Sequence, residues 1–140
     1  MFDALPDVVC TKAELPKAAD MLRPRLQKDY DVIVMYDMVP GCTPEQQKSF
    51  IELLNQGIDL VSLHHNLCAH DAWSEYREII GGKYLLKETT IDGKKCGPSD
   101  YSDDQDMAVA VADRQHPITA GIADFKIHDE AEANAMVNRT

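Results

Sequence analysis

The sequence is short of basic residues. Fourteen Lys and Arg stand against 24 Asp and Glu, for a formal charge of −10. A phosphate backbone is recognised by clustered Lys and Arg, so nucleic acid is not expected as a partner. A negative membrane surface is disfavoured for the same reason. No apolar run is long enough to span a bilayer. The N-terminus lacks the basic-then-apolar layout of a secretory signal. Four cysteines are present, Cys10, Cys42, Cys68 and Cys96, with wide gaps and no C-x-x-C pair. That spacing removes a zinc ribbon, and a chain of 140 residues does not need a disulfide scaffold. Reduced thiols in a cytoplasmic protein are the default expectation. There is no internal repeat and no low-complexity tract, and the length suits one domain, residues 1–140, with a moderate core.

What is present is an alternation of apolar runs and amphipathic segments. Residues 31–37 (DVIVMYD) are apolar on both parities and rich in β-branched side chains, which predicts a strand buried on both faces. Thr43-Pro44-Glu45-Gln46 is a helix start, with a capping Thr, Pro at the first helical position and Gln three residues after the cap. Phe50, Ile51, Leu53 and Leu54 form the apolar stripe, and Gly57 is the expected stop. Leu60, Val61 and Leu63 form a second buried strand that runs into His64 and His65. Strand, helix, strand in this order is a right-handed βαβ unit with parallel strands. Less marked are a short strand at Val8-Val9-Cys10 and a helix from Leu15-Pro16 to Leu22, broken at Pro24. A second helix is expected after Asp71, carrying Ala72, Trp73, Tyr76, Ile79 and Ile80 and ending at Gly81-Gly82. A strand is expected over 83–88, a polar surface excursion over 89–106, strands over 107–112 and 125–128, and a tail or frayed helix over 131–140.

In open α/β sheets ligands gather at the carboxyl ends of the strands, which directs attention to Asp37 and to His64 and His65. If the strand continues through the histidines, they point to opposite sides. Imidazole titrates near neutrality and suits proton transfer, although a histidine can equally hold a turn through hydrogen bonds. His65, His70 and His128 are candidate ligands for a divalent metal such as zinc, with Asp129 or Glu130 beside them; separate histidines in separate loops are the plainer alternative. Asp129 and Glu130 end a strand, where paired carboxylates can do acid–base work, bind sugar hydroxyls, or cap a helix. Trp73 can stack on a sugar ring, but its helical spacing with Tyr76 favours packing. His116-Pro117 reads as a turn that can also line a site. Cys68 lies four residues beyond His64 and would need a neighbouring base to act as a nucleophile; a buried inert thiol is the simpler reading.

Three segments together, YDVIVMYDM, then TPEQQKSFIELLNQGIDLVSLHHNLCAHDAWSEYREIIGG, then ADRQHPITAGIADFKIHDE, resemble the ThuA-like family, named for trehalose utilisation, over residues 30–130. The resemblance implies a flavodoxin-like, class I glutamine amidotransferase-like three-layer α/β sandwich with a mostly parallel sheet. It implies a role in carbohydrate utilisation and a small sugar, or an oxidised sugar derivative, as partner. On the reading of the residues themselves, His64, His65, Asp129 and Glu130 are the candidates for catalysis, with Asp37, His70, Trp73, His116 and His128 around the substrate. The cysteine of the amidotransferases aligns with His64, so a glutamine amidotransferase is not expected. Family members commonly carry Tyr where Glu132 stands, often His where Lys87 stands, and Gly-Gly-Gly where Gly57-Ile58-Asp59 stands. Family domains ordinarily begin before, and continue beyond, the segments matched. The chain thus corresponds to the middle of such a domain, and marginal stability or a homo-oligomer formed through an exposed sheet edge is expected.

Overall fold

The strand β1 (Val32–Met35) and the strand β2 (Asp59–Ser62) pair in parallel, with Val32 opposite Asp59 and Met35 opposite Ser62. The helix α1 (Pro44–Asn55) connects them. Its start follows from local chemistry. The Thr43 hydroxyl accepts from the Gln46 N–H at 3.2 Å, and the Gln46 side chain accepts from the Thr43 N–H at 2.9 Å, so two otherwise orphaned donors are satisfied. Gly57, at φ +93°, turns the chain into β2 in a conformation that L side chains rarely adopt. This computed structural model describes residues 5–39, 41–133 and 135–137. They fall into two compact units, one running to Lys83 and the other Tyr84–Val137.

The first unit holds the core. Phe50 and Leu53 from α1 pack with Met35, Ile58, Ala69, Trp73 and Tyr76, all buried. The helix α2 (Tyr76–Ile80) ends at Gly81, φ +80°, as its Gly-Gly signal predicts. It is shorter than expected. Residues 71–75 form turns because burial of His70 and Trp73 holds that segment bent. A two-residue strand β3 (Gly82–Lys83) follows. Two expectations fail at the N-terminal end. Val8-Val9-Cys10 is exposed and is not a strand. Residues 15–22 form only turns and a short 3-10 helix, Ala19–Met21, because Pro16 and Pro24 leave too few residues to offset nucleation.

Burial of β1 on both faces is also corrected. Met35 is buried and Ile33 half-buried on the α1 side, but Val32 is 45% and Val34 39% exposed on the other, and Val61 of β2 is 41% exposed. Only one face of the pair is covered.

The second unit is built of antiparallel hairpins. The strands β4 (Thr89–Ile91) and β5 (Lys94–Cys96) turn at Asp92-Gly93, both with positive φ, as a tight two-residue hairpin requires. The strand β6 (Asp100–Val109) pairs with β7 (Phe125–Ala133), with a register shift between Ser102 and Gln105 where Asp104 has φ +63°. The polar stretch expected as a surface excursion is therefore mostly strand. The expected tail begins as strand through Ala133; residues 134 and 138–140 lie outside the described residues. A last strand, β8 (Met136–Val137), follows. Among the described residues of this unit only Leu85 is a buried hydrophobic residue. The α/β content agrees with expectation; the sheets are short and of mixed direction, with one parallel pair, β1–β2, and antiparallel β4–β5 and β6–β7. Among the described residues no helix is long and apolar enough to cross a membrane.

Thr43→Ala removes the cap without touching the core. It is expected to lower unfolding free energy by about 1 kcal/mol in urea titrations, with an unchanged denaturant slope.

Candidate functional site

At the carboxyl end of β1 stand Tyr36, 58% exposed, and Asp37, half-buried. At the carboxyl end of β2, the chain leaves the strand after Ser62 and enters a 3-10 turn, His64–Cys68. His64 has φ +43°, a left-handed conformation that costs a β-carbon-bearing residue about 1–2 kcal/mol. Its neighbours hold it there. The Leu63 N–H donates to the Met35 carbonyl at 2.9 Å, and the Asn66 N–H donates to the Leu63 carbonyl at 3.0 Å.

Because the strand stops before the histidines, the two do not alternate across it. Their rings lie together, with centroids 4.0 Å apart. The Tyr36 ring stacks on His64 at 5.8 Å and meets His65 at 5.3 Å. Three rings from two adjacent strand ends thus form one cluster.

Beneath it is Asn66, fully buried. Its side-chain oxygen accepts from Ser62 Oγ and from the Tyr76 hydroxyl, both at 2.7 Å. Its amide nitrogen donates to Asp37 Oδ1 at 2.9 Å. With two hydroxyl donors on one side and a carboxylate on the other, the amide has one satisfied orientation. Burial, the first cause, pushes the Tyr76 hydroxyl far above the ordinary tyrosine value, so it remains a donor.

His70, expected at a ligand or metal, is 3% exposed. Its ring packs edge-on against Tyr76 at 4.5 Å and Trp73 at 5.5 Å. Its Nδ1 is buried with no hydrogen-bond partner among the described residues. Burial holds this imidazole below the usual histidine range; Asp37 opposes the shift and Lys83 adds to it. Trp73 is also corrected as a stacking surface: it is 3% exposed, in edge contact with Phe50. Cys68 is half-buried at the end of the 3-10 turn, and no cysteine is in a disulfide.

The remaining candidates belong to the second unit. His128 is exposed on β7, opposite Asp106 on β6. Its Nδ1 lies 2.8 Å from Asp106 Oδ1 and its Nε2 2.7 Å from Asp104 Oδ1, the latter reaching it from the bulge. These two carboxylates, Asp106 first, raise the imidazole above its ordinary value. Asp129 is exposed and accepts from the Glu130 N–H at 2.8 Å. His116 is exposed in a turn, its Nδ1 accepting from the Ile118 N–H at 3.2 Å. Of the metal candidates, His65 and His70 belong to the first unit and His128 to the second.

Sequence reasoning missed Tyr36, Ser62 and Asn66. The signal was available in part: Tyr36 directly precedes Asp37 at a strand end, and Ser62 and Asn66 bracket the histidines at i, i+4.

Asn66→Ala is expected to destabilise the fold by about 2–4 kcal/mol, since it leaves buried partners unsatisfied. Tyr76→Phe should cost less, about 1 kcal/mol. Chemical denaturation of both variants checks the order.

The buried neutral ring of His70 also predicts a pH dependence. Its stabilising contribution is complete above the ordinary value of 6.5 and declines as pH falls from there toward the lowered folded value. His70→Phe should flatten that arm of the stability curve. His128→Gln should act in the opposite window: the paired His128 contributes below 6.5 and loses its contribution as pH rises through its raised value. Melting temperatures measured from pH 5 to 8 separate the two.

Compared with known families, the chain matches the family model ThuA, trehalose utilisation, over residues 8–135. No curated protein matches. No solved structure matches.

Proposed function

The chain belongs to the ThuA, trehalose utilisation, family, and from that premise we propose that the first unit binds a sugar over the carboxyl ends of β1 and β2. The observations that carry this reading are the cluster of Tyr36, His64 and His65 rings and, at the end of the same strand β1, a carboxylate fixed by Asn66. A pyranose presents an apolar C–H face and a rim of hydroxyls. The rings offer a surface for the face, and Asp37 offers an acceptor for a hydroxyl. Asn66 occupies Asp37 Oδ1, so Oδ2 is the oxygen assigned to the ligand.

The reaction proposed is proton transfer on a sugar or oxidised sugar derivative, with His64 or His65 as the group that takes and returns the proton. An imidazole near neutrality can do both within one turnover. No step is assigned to Asp129 or Glu130, and Cys68 is given no nucleophilic role. The βαβ connection through α1 supports reading this unit as part of a flavodoxin-like, amidotransferase-like sandwich. The partial exposure of Val32, Val34 and Val61 on one face of β1–β2, and the near absence of a core in the second unit, support association of copies as a further expectation.

Calorimetric titration with trehalose and with an oxidised trehalose derivative, followed by mass spectrometry of the products, tests the reading. Saturable binding is expected, weakened roughly tenfold by Tyr36→Ala, about 1.4 kcal/mol. The His64→Ala, His65→Ala double variant should lose turnover and, because two of the three rings of the surface are removed, also bind more weakly. Turnover that survives the double substitution removes the histidines from the chemistry. Binding with no product in the native protein identifies a sugar-binding module, and activity abolished by chelators identifies a metal-dependent hydrolase.

A further inference from the structure

The ladder between β6 and β7 carries a bulge. Between the pairs Ser102–Ala131 and Gln105–Asp129, β6 has two residues, Asp103 and Asp104, where β7 has one, Glu130. The extra residue is accommodated with Asp104 in a left-handed conformation, φ +63°. Asp tolerates that region better than most residues, but the conformation still needs something to hold it. On one side of the bulge the ladder continues from Gln105–Asp129 to Val109–Phe125. On the other side only Ser102–Ala131, Tyr101–Glu132 and Asp100–Ala133 remain.

His128 ties the bulge to the longer part of the ladder. Its Nδ1 lies 2.8 Å from Asp106 Oδ1, in the ladder, and its Nε2 2.7 Å from Asp104 Oδ1, in the bulge. An ionised carboxylate only accepts, and a neutral imidazole has a single N–H. Two carboxylates, one on each ring nitrogen, are therefore satisfied together only by the imidazolium. The surroundings favour that form. On β6 the ring faces Asp104 and Asp106, with Asp103 as the other bulge residue; on β7 Asp129 is adjacent, and Lys126 and Glu130 stand two residues to either side. Among the described residues β7 pairs with β6 alone. Lys126 is the one cation set against all these carboxylates.

We propose that protonated His128 pins the bulge, so that loss of its proton frees residues 100–103 and 130–133 while the ladder on the far side of the bulge stays paired. Without the proton, one ring nitrogen presents a lone pair to a carboxylate. His128 and Asp106 are held opposite each other by their strands. Asp104 lies outside the ladder pairs, so its contact is the one that opens. Asp103, Asp104 and Asp106 then repel one another without a cation between them. The short stretch of ribbon beyond the bulge does not hold itself, because isolated antiparallel pairs are marginal. The two carboxylates, Asp106 first, raise the ring above the ordinary value of 6.5. The pin is therefore in place at and below that pH and is withdrawn as pH rises through the raised value. This end of the ribbon is a pH-responsive element, closed in mildly acidic solution and loose in mildly alkaline solution. The inference does not depend on sugar binding in the first unit.

NMR of the full chain from about pH 5 to about pH 9 tests it. The His128 ring protons give its midpoint, and cross-strand nuclear Overhauser contacts give the pairing on each side of the bulge. Across that midpoint, contacts between 100–102 and 131–133 are expected to weaken roughly threefold, the equilibrium worth of an exposed ion pair. Contacts between 105–109 and 125–129 should persist. His128→Arg keeps a cation with several donors and should hold the outer contacts at every pH. His128→Gln should show the weakened contacts at every pH. Asp104→Asn keeps the tolerance for positive φ and removes the charge, so it should lower the ring midpoint and move the step with it. Outer contacts that do not change at the ring midpoint overturn the proposal. So does a step that persists in His128→Gln, and so does a loss shared equally by both sides of the bulge. Should a variant fail to fold, the native chain still decides, through the coincidence of the step with the ring midpoint.

Discussion

A single buried amide ties the two strand ends together. Asn66 has no solvent to fall back on, so each of its polar atoms must find a partner inside the protein. It finds Asp37 from β1, Ser62 from β2 and Tyr76 from α2. These contacts converge from three elements that the chain brings together only on folding. Because the amide has one satisfied orientation, the turn after β2 has one satisfied position. The left-handed backbone of His64 follows from that position and not from any preference of histidine. The ring cluster of Tyr36, His64 and His65 is the outward consequence of an inward hydrogen-bond network.

The rest of the first unit supplies rigidity around this point. Trp73, Tyr76 and Phe50 pack as a group of aromatic rings under the strand ends, and His70 is enclosed among them. An enclosed imidazole with an unsatisfied nitrogen is costly, and neutrality limits that cost. The contrast with His128 is instructive. That ring is solvent-exposed between two carboxylates, and the same titration is moved the other way. Two histidines that look alike in sequence thus have their titrations moved in opposite directions, because one has lost water and the other has gained anions.

The two units are stabilised by different means. The first has a buried cluster on one side of a parallel strand pair, while the other side of that pair remains apolar and open. The second relies on ladder hydrogen bonds and cross-strand pairs, such as Asp106 with His128, with little burial behind them. Antiparallel ribbons without a covered face are marginal by themselves.

The local signals read correctly in the sequence were those in which a residue's own chemistry suffices. Thr43, Pro44 and Gln46 start a helix by satisfying its first donors, and Gly57 and Gly81 end helices because they tolerate positive φ. The family resemblance was likewise legible, because it resides in the order of short motifs. What sequence could not supply was anything that depends on which groups lose water. The acidic run 100–106 became strand because β7 pairs with it, a partner some 25 residues away that no local pattern announces. Trp73 and His70 went inward and Val32 and Val34 stayed outward, since burial is decided by neighbours and not by hydropathy alone. The two adjacent histidines came to share one cluster because the strand ended before them, and Asn66, packed against residues 29 and 10 positions away, determined how the turn beyond was held.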